Sequence, residues 1–236
     1  MMRSIVTTVA TAALITVGGT AAPVLAQATG EATDVYHVHF TKAAPGQAGA
    51  LGKALMAPDP AAPMPGHFLV LRHQEGDDWD YVVIDHLGKK ATVDPAPAPP
   101  DPAREMRAWH TDTFVSGPPW EQFAREMAIG GSGNAVGTVY VIGVHRAAPG
   151  GREALQKALN QAAPPDTKVQ TGTVLLQHLE GADWTFMTLT RYGSWQDFAA
   201  ERAQAAASAG SAGGWNDIRQ HSAFHRDTIT DRIAPK

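Results

Sequence analysis

Val35-Tyr36-His37-Val38-His39-Phe40-Thr41-Lys42-Ala43-Ala44-Pro45-Gly46 is answered 104 positions later by Val139-Tyr140-Val141-Ile142-Gly143-Val144-His145-Arg146-Ala147-Ala148-Pro149-Gly150. At this offset 11 of the 21 residues from Val35 to Leu55 are identical, including Leu51, Lys53, Ala54 and Leu55. The match resumes one residue out of step: His73, Glu75, Gly76, Asp78 and Trp79 face His178, Glu180, Gly181, Asp183 and Trp184. It returns where Ala108 to Thr113 (Ala-Trp-His-Thr-Asp-Thr) faces Ala223 to Thr228 (Ala-Phe-His-Arg-Asp-Thr). A unit of about 100 residues is too long for a solenoid repeat and reads as one small domain present twice. A first repeat over 33–129, a Gly-rich linker over 130–137 and a second repeat over 138–234 are expected.

Each copy opens as a strand. Tyr36, Val38 and Phe40 alternate with His37, His39 and Thr41, and Tyr140, Ile142 and Val144 follow the same period of two. Pro-Gly then leads into a helix with Leu51 and Leu55, or Leu155 and Leu159, one turn apart. Phe68 to His73 and Tyr81 to His86, joined by a Gly-containing turn, read as a hairpin, as do Thr173 to Leu179 and Thr185 to Tyr192. Helical material is expected afterwards. In the first copy a Pro-rich linker over 94–100 precedes a helix opening at Asp101-Pro102 and carrying Met106, Trp109, His110 and Phe114. A short helix runs from Trp120 to Met127. In the second copy Ser194 caps a helix through Trp195 and Phe198, and another helix carries Ile218, Phe224, His225 and Ile229; extended structure after His110 and His225 is the alternative.

This β-α-β-β-α order, its size and its strand–Pro-Gly–helix opening resemble the ferredoxin-like half of the dimeric α/β-barrel superfamily. That superfamily includes monooxygenase-like, EthD-like, NIPSNAP-like, stress-responsive and chlorite-dismutase-like proteins. The resemblance spans nearly all of the chain beyond its N-terminal segment. It implies an α+β protein in which two tandem ferredoxin-like repeats form an intrachain pseudo-dimeric α/β barrel, with a cavity between facing sheets. Some relatives hold haem through a histidine, a role the resemblance would give to His110 or His225.

The N-terminus has the pattern of an export signal. Arg3 is the only charge before Glu31, Ile5 to Val17 is apolar with threonines, and small residues follow. Residues 1–26 are expected to be a cleaved signal peptide, with Ala28 a second cleavage position. The apolar run falls short of the roughly 20 residues that span a bilayer, so a soluble periplasmic or secreted protein is expected, with no membrane contact after cleavage. Without Arg3, 18 Lys and Arg face 23 Asp and Glu, a net charge of −5, with the signs interspersed. That pattern excludes the basic stripe of a nucleic-acid partner. No cysteine is present, so disulfides, thiolate metal sites and cysteine nucleophiles are excluded. Association with a second copy stays open.

The candidate site residues are mostly histidines. His37 and His39 stand on one strand face, about 6.6 Å apart along the chain, a spacing that chelates a transition metal when a third ligand approaches. His73, His86, His110 or Asp112 could supply it. With Thr41 they equally suit the polar lining of a ligand cavity: they point toward the partner sheet when Tyr36, Val38 and Phe40 pack on their own helices, which is the expectation if the cavity does chemistry, and the opposite assignment is the alternative. Where the first copy has His37, His39 and Thr41, the second has Val141, Gly143 and His145, so any chemistry is expected in the first copy. The repeated His-x-Asp-Thr places His110 with Asp112 and His225 with Asp227. A histidine there suits a general base near neutral pH, although on a helix i and i+2 do not share a face. His73 and His178 end strands beside the hairpin turns, where Trp79 and Trp184 read as core lids. Arg72 suits an anionic group on a ligand.

No serine elbow, phosphate loop or His-Glu-x-x-His is present. A small, partly apolar molecule in the inter-half cavity is the first reading, without a cofactor. An oxygenase-like enzyme using His37, His39, His110 or Asp112, cofactor-free or assisted by metal or haem, is the second. A ligand-free structural or stress-related protein is the third, and an interior filled by side chains would favour it.

Overall fold

The computed structural model describes residues 34–60, 62–89, 103–130, 137–161 and 169–235. The signal segment, the Pro-rich linker, the Asp101-Pro102 start of the expected helix and most of the Gly-rich linker lie outside the described residues. The elements run β1 (Asp34–Ala43), α1 (Ala48–Leu55), β2 (Phe68–Glu75), β3 (Tyr81–Lys89), β4 (Arg107–Gly117), α2 (Trp120–Glu126), β5 (Val139–Ala147), α3 (Arg152–Gln161), β6 (Gln170–Glu180), β7 (Phe186–Tyr192), α4 (Trp195–Ala207), α5 (Trp215–His221) and β8 (Ser222–Ala234).

Two segments expected as helices are strands. Arg107–Gly117 is β4 and Ser222–Ala234 is β8, each paired along the first strand of its half. The physical reason lies in alternation. Thr113 and Val115 are fully buried between the outward Asp112, Phe114 and Ser116, and Thr228, Thr230 and Arg232 repeat the pattern in β8. Threonine and valine at every second position suit a pleated, half-buried surface and lose side-chain freedom in a helix.

The eight strands close into an antiparallel barrel in the order β1-β3-β2-β8-β5-β7-β6-β4. Within it, β4-β1-β3-β2 and β8-β5-β7-β6 follow one path, and the β2–β8 and β4–β6 pairings join the halves. Closure leaves no open sheet edge. The repeated motifs meet across these seams. A Cβ on Gly76, at φ +125°, would strike the backbone of Asp227 and Thr228, and one on Gly181, at φ +111°, would strike Thr113. Each hairpin turn therefore lies against the His-x-Asp-Thr strand of the other half, which only glycine permits.

The barrel interior is the main core. Tyr36, Val38 and Phe40 of β1 meet Tyr140, Ile142, Val174, Leu176, Met187 and Leu189 of the other half. Helix α2 closes the Tyr36 end, with Phe123 stacked 5.0 Å from Tyr36 and Met127 fully buried. Trp79 stands at the Phe40 end, 5.2 Å from that ring. Trp79 and Trp184 are 3% and 8% exposed, as their reading as core lids requires. The cavity expected between the sheets is therefore filled by side chains. Helices pack outside: Leu51 of α1 against Tyr81, and Leu155 and Leu159 of α3 against Phe186.

Candidate functional site

Because Tyr36, Val38 and Phe40 fill the interior, alternation along β1 turns His37, His39 and Thr41 to the outer face. The expectation that His37 and His39 reach the space between the halves is overturned. The reason is volume: three large apolar side chains from β1 are needed to fill a closed eight-stranded barrel.

The register of the outer face assembles the site. His37 lies between Asp85 of β3 and Phe114 of β4, His39 between Val83 and Asp112, and Thr41 between Tyr81 and His110. Directly opposed strand residues have touching side chains. Asp112 Oδ1 is 2.9 Å from His37 Nε2 and 3.0 Å from His39 Nδ1. His110 Nε2 is 3.3 Å from Asp112 Oδ2, and its ring stacks on His39 at 5.1 Å. His110 and Asp112 share a face because they sit on a strand, which corrects the helix-based objection to their pairing. Asp85 Oδ2 stands 3.9 Å behind His37 Nδ1, an ion-pair distance. His39 is at the floor of the site, His37 is half-buried, and Asp112, His110 and Phe114 open to solvent.

Charge divides the two imidazoles. Burial pushes His37 down, but the flanking carboxylates of Asp112 and Asp85 outweigh it and raise its pKa to about 9. His39 is pushed below the usual histidine value, chiefly by burial. The hydrogen bonds from His37 and His39 hold Asp112 well below the usual carboxylate range. At neutral pH the cluster is thus an imidazolium–carboxylate pair beside a neutral imidazole.

Among the described residues, His37, His39 and Asp112 form a group whose donor atoms all lie within 4.8 Å of one another. An ion bound about 2.1 Å from each donor in octahedral geometry sets adjacent donors about 3 Å apart, which the two distances to Asp112 match. Two histidines and one carboxylate on one side leave the remaining positions open, the arrangement of non-haem oxygen-using iron sites. Asp85 stands on the outer-nitrogen side of His37, where metal sites commonly place a carboxylate, at 3.9 Å, an ion-pair rather than a hydrogen-bond distance.

The other sequence candidates fall elsewhere. Arg72 is paired bidentately with Asp231 across the β2–β8 seam, at 3.1 and 2.8 Å. Its charge serves the joining of the halves. His73 and His178 meet the rings of Trp79 and Trp184 edge-on at 5.6 Å, and His178 Nε2 accepts from the Ala182 N–H. They brace the hairpins. Thr41 donates to the Trp109 carbonyl. His86 points away from the triad to Asp34. His225 and Asp227 pair at 2.9 Å on the outer face of the second half. There His145, which sequence reasoning met only as the counterpart of Thr41, stacks on His225 at 4.6 Å. His67 and Asp34 were not singled out at all, because neither belongs to a repeated motif.

No family model and no curated protein matches the chain. Solved structures do. An anthrone oxidase-like protein aligns with a TM-score of 0.59 at 13% identity, over 86% of this chain and 92% of that one. A proposed monooxygenase from Fusobacterium nucleatum aligns at 0.53 and 8% identity, over 86% and 94%. Another from Lactobacillus acidophilus aligns at 0.52 and 8%, over 85% and 94%. The chain has the fold these proteins share, the dimeric α/β barrel, formed here within one polypeptide.

Proposed function

We propose that this protein is an exported, metal-dependent enzyme that acts with oxygen on a small, partly apolar molecule at the outer face of its first half. The observation that carries this reading is the His37–His39–Asp112 triad. Its donor spacing suits one divalent ion, and its solvent side is open. The names of the fold neighbours, anthrone oxidase-like and monooxygenase, favour oxygen chemistry over simple binding. Phe114, 5.3 Å from the His37 ring and partly exposed, offers an apolar wall to a substrate. The repeated sequence blocks and the shared strand path support descent of the two halves from one duplicated unit. The N-terminal pattern supports export.

The residues divide the work. His37 Nε2, His39 and Asp112 would hold the ion, Asp85 would orient His37, and His110 would steady the second oxygen of Asp112. Binding must displace the proton of His37, so it releases a proton to solvent. The interior filled by side chains, which favours a ligand-free protein, bears only on the space between the sheets.

The test is direct. Purified protein is titrated with Co²⁺ or anaerobic Fe²⁺, followed by absorbance and calorimetry, and then assayed for oxygen uptake with anthrone as the first substrate. One ion per chain, lost in His37→Ala, His39→Ala and Asp112→Ala, supports the reading. Absence of saturable binding sinks it.

A further inference from the structure

A second group of histidines stands apart from the triad. Asp34, at the start of β1, and His86, on β3, are both buried, and His86 Nε2 lies 3.0 Å from Asp34 Oδ2. The Trp120 backbone N–H donates to that oxygen at 2.9 Å. His86 Nδ1 in turn lies 3.1 Å from His67 Nδ1. The His86 N–H donates to the His67 carbonyl, which fixes the approach of the 67 loop. The indole of Trp120 stacks on His67 at 4.5 Å, 9° from parallel. These groups border a cleft of about 320 Å³, also lined by Met64, Lys89 and Glu121.

The hydrogen bonds order the tautomers. Asp34 accepts from Trp120, so as a carboxylate it also accepts the Nε2–H of His86. With Nε2–H given to Asp34, His86 presents Nδ1 to His67, and His67 donates Nδ1–H to it. That leaves the lone pair on His67 Nε2 as the acceptor at the end of the chain. A carboxylate–imidazole–imidazole series has the logic of a positioned base, in which the distant carboxylate stabilises charge gained at the near ring.

We propose that this cleft is a second small-molecule site, taking a weakly acidic hydroxyl compound of the phenol or enol class whose O–H is held and deprotonated by His67. The O–H bond breaks, its electron pair stays on oxygen, and the proton goes to His67 Nε2. The products are a phenolate or enolate and an imidazolium. The Nδ1–H stays on His67 and keeps donating to His86 Nδ1, and His86 stays oriented by Asp34. Lys89 at the lining favours the anion, and Glu121 favours the protonated ring. Burial, followed by the neighbouring His86 ring, lowers the pKa of His67, so the ring is unprotonated and able to accept a proton at neutral pH. The site does not depend on the metal reading.

Two measurements test it. Long-range ¹⁵N–¹H spectra of the ¹⁵N-labelled wild-type protein report the tautomers without any variant. Nδ1–H on His67 and Nε2–H on His86 are expected, and the reverse on either ring overturns the proposal. The probe 4-nitrophenol, titrated at pH 7, should bind saturably with increased phenolate absorbance. Its affinity should fall about tenfold in His67→Ala and stay within about twofold in Asp112→Ala. Unchanged affinity in His67→Ala overturns the proposal. A loss in Asp112→Ala alone does so too, by moving the probe to the triad.

Discussion

The outer faces of the two halves carry the same strands and two different clusters. In the first, His37 and His39 reach Asp112. In the second, Val141 and Gly143 stand at those positions and His145 supplies the imidazole one strand pair further along. A Cβ on Gly143 would meet Thr188 Oγ1 at 2.6 Å and both Asp227 Oδ1 and His145 Nε2 at 2.9 Å. The polar groups of the second half have closed over the place that His39 occupies in the first. The electrostatics invert accordingly. Burial, and then the nearby His225, lower the pKa of His145 to about 4, whereas two carboxylates raise His37 to about 9. Two histidines at His37 and His39, against Val141 and Gly143 with one histidine two residues further on, separate a cluster with a charged imidazole open to solvent from one whose His145 imidazole is buried and neutral.

The comparison assumes that the frame beneath both clusters is the same, and the largest expected effects test that. Trp79 and Trp184 occupy matching positions and are both nearly inaccessible. Trp79→Ala and Trp184→Ala should each cost about 3–5 kcal/mol in urea denaturation. A large cost at one site and a negligible one at the other would mean that the halves are not stabilised alike.

Next in size is the pH dependence, which should have opposite sign in the two halves. His37 has a folded-state pKa above its unfolded value of about 6.5, so its contribution is complete below that pH and is lost as pH rises through about 9. His145 has a lowered value, so its contribution is present above about 6.5 and is lost as pH falls through about 4. Each shift corresponds to roughly 3 kcal/mol. His37→Gln should flatten the alkaline limb of the stability curve, and His145→Gln the acid limb. One variant flattening both limbs would show that the clusters are coupled.

Removal of the carboxylates comes third. Asp112→Ala should weaken Co²⁺ binding by about a hundredfold or more, since it takes away a direct ligand. Asp227→Ala should leave binding within about twofold, because the second cluster lacks a counterpart of His37 and His39. Equal losses in calorimetry would place the ion somewhere other than the triad.

Much of the frame was legible in the sequence, because the repeat carries its own reasons. Pro-Gly ended β1 and β5 before a helix, and Glu-Gly-x-Asp-Trp marked two hairpins whose glycines lie against the opposite half. His37, His39 and Asp112 could each be named as candidate ligands from alternation and motif. Their orientation could not be read, since β1 is well patterned for either face. Only the closing of the barrel shows that Tyr36, Val38 and Phe40 are needed inside. β4 and β8 were misread because Met106, Trp109, His110 and Phe114 also fit a helical spacing, and Thr113 and Val115 gain their meaning from burial. The Asp34–His86–His67 series left no trace, as its members lie far apart in sequence and meet through strand pairing and one loop.

The smallest expected effect isolates what makes the first half distinctive beyond its three donors. Asp85 pairs with His37 across β1 and β3, and its second-half counterpart beside Val141 is Thr190, which carries no charge. At 3.9 Å from His37 Nδ1, Asp85 touches no proposed donor atom. Its work would be to keep the ring turned with Nε2 toward Asp112 and to make that nitrogen a better ligand. Asp85→Asn preserves shape and removes charge. It should lower Co²⁺ affinity about tenfold, the low end of losses for such outer partners, and should bring the pKa of His37 down from about 9. The two readouts separate positioning from simple charge. A falling pKa with unchanged metal affinity would mean that Asp85 only attracts the proton, and that His37 is oriented by Asp112 and the Phe114 ring alone.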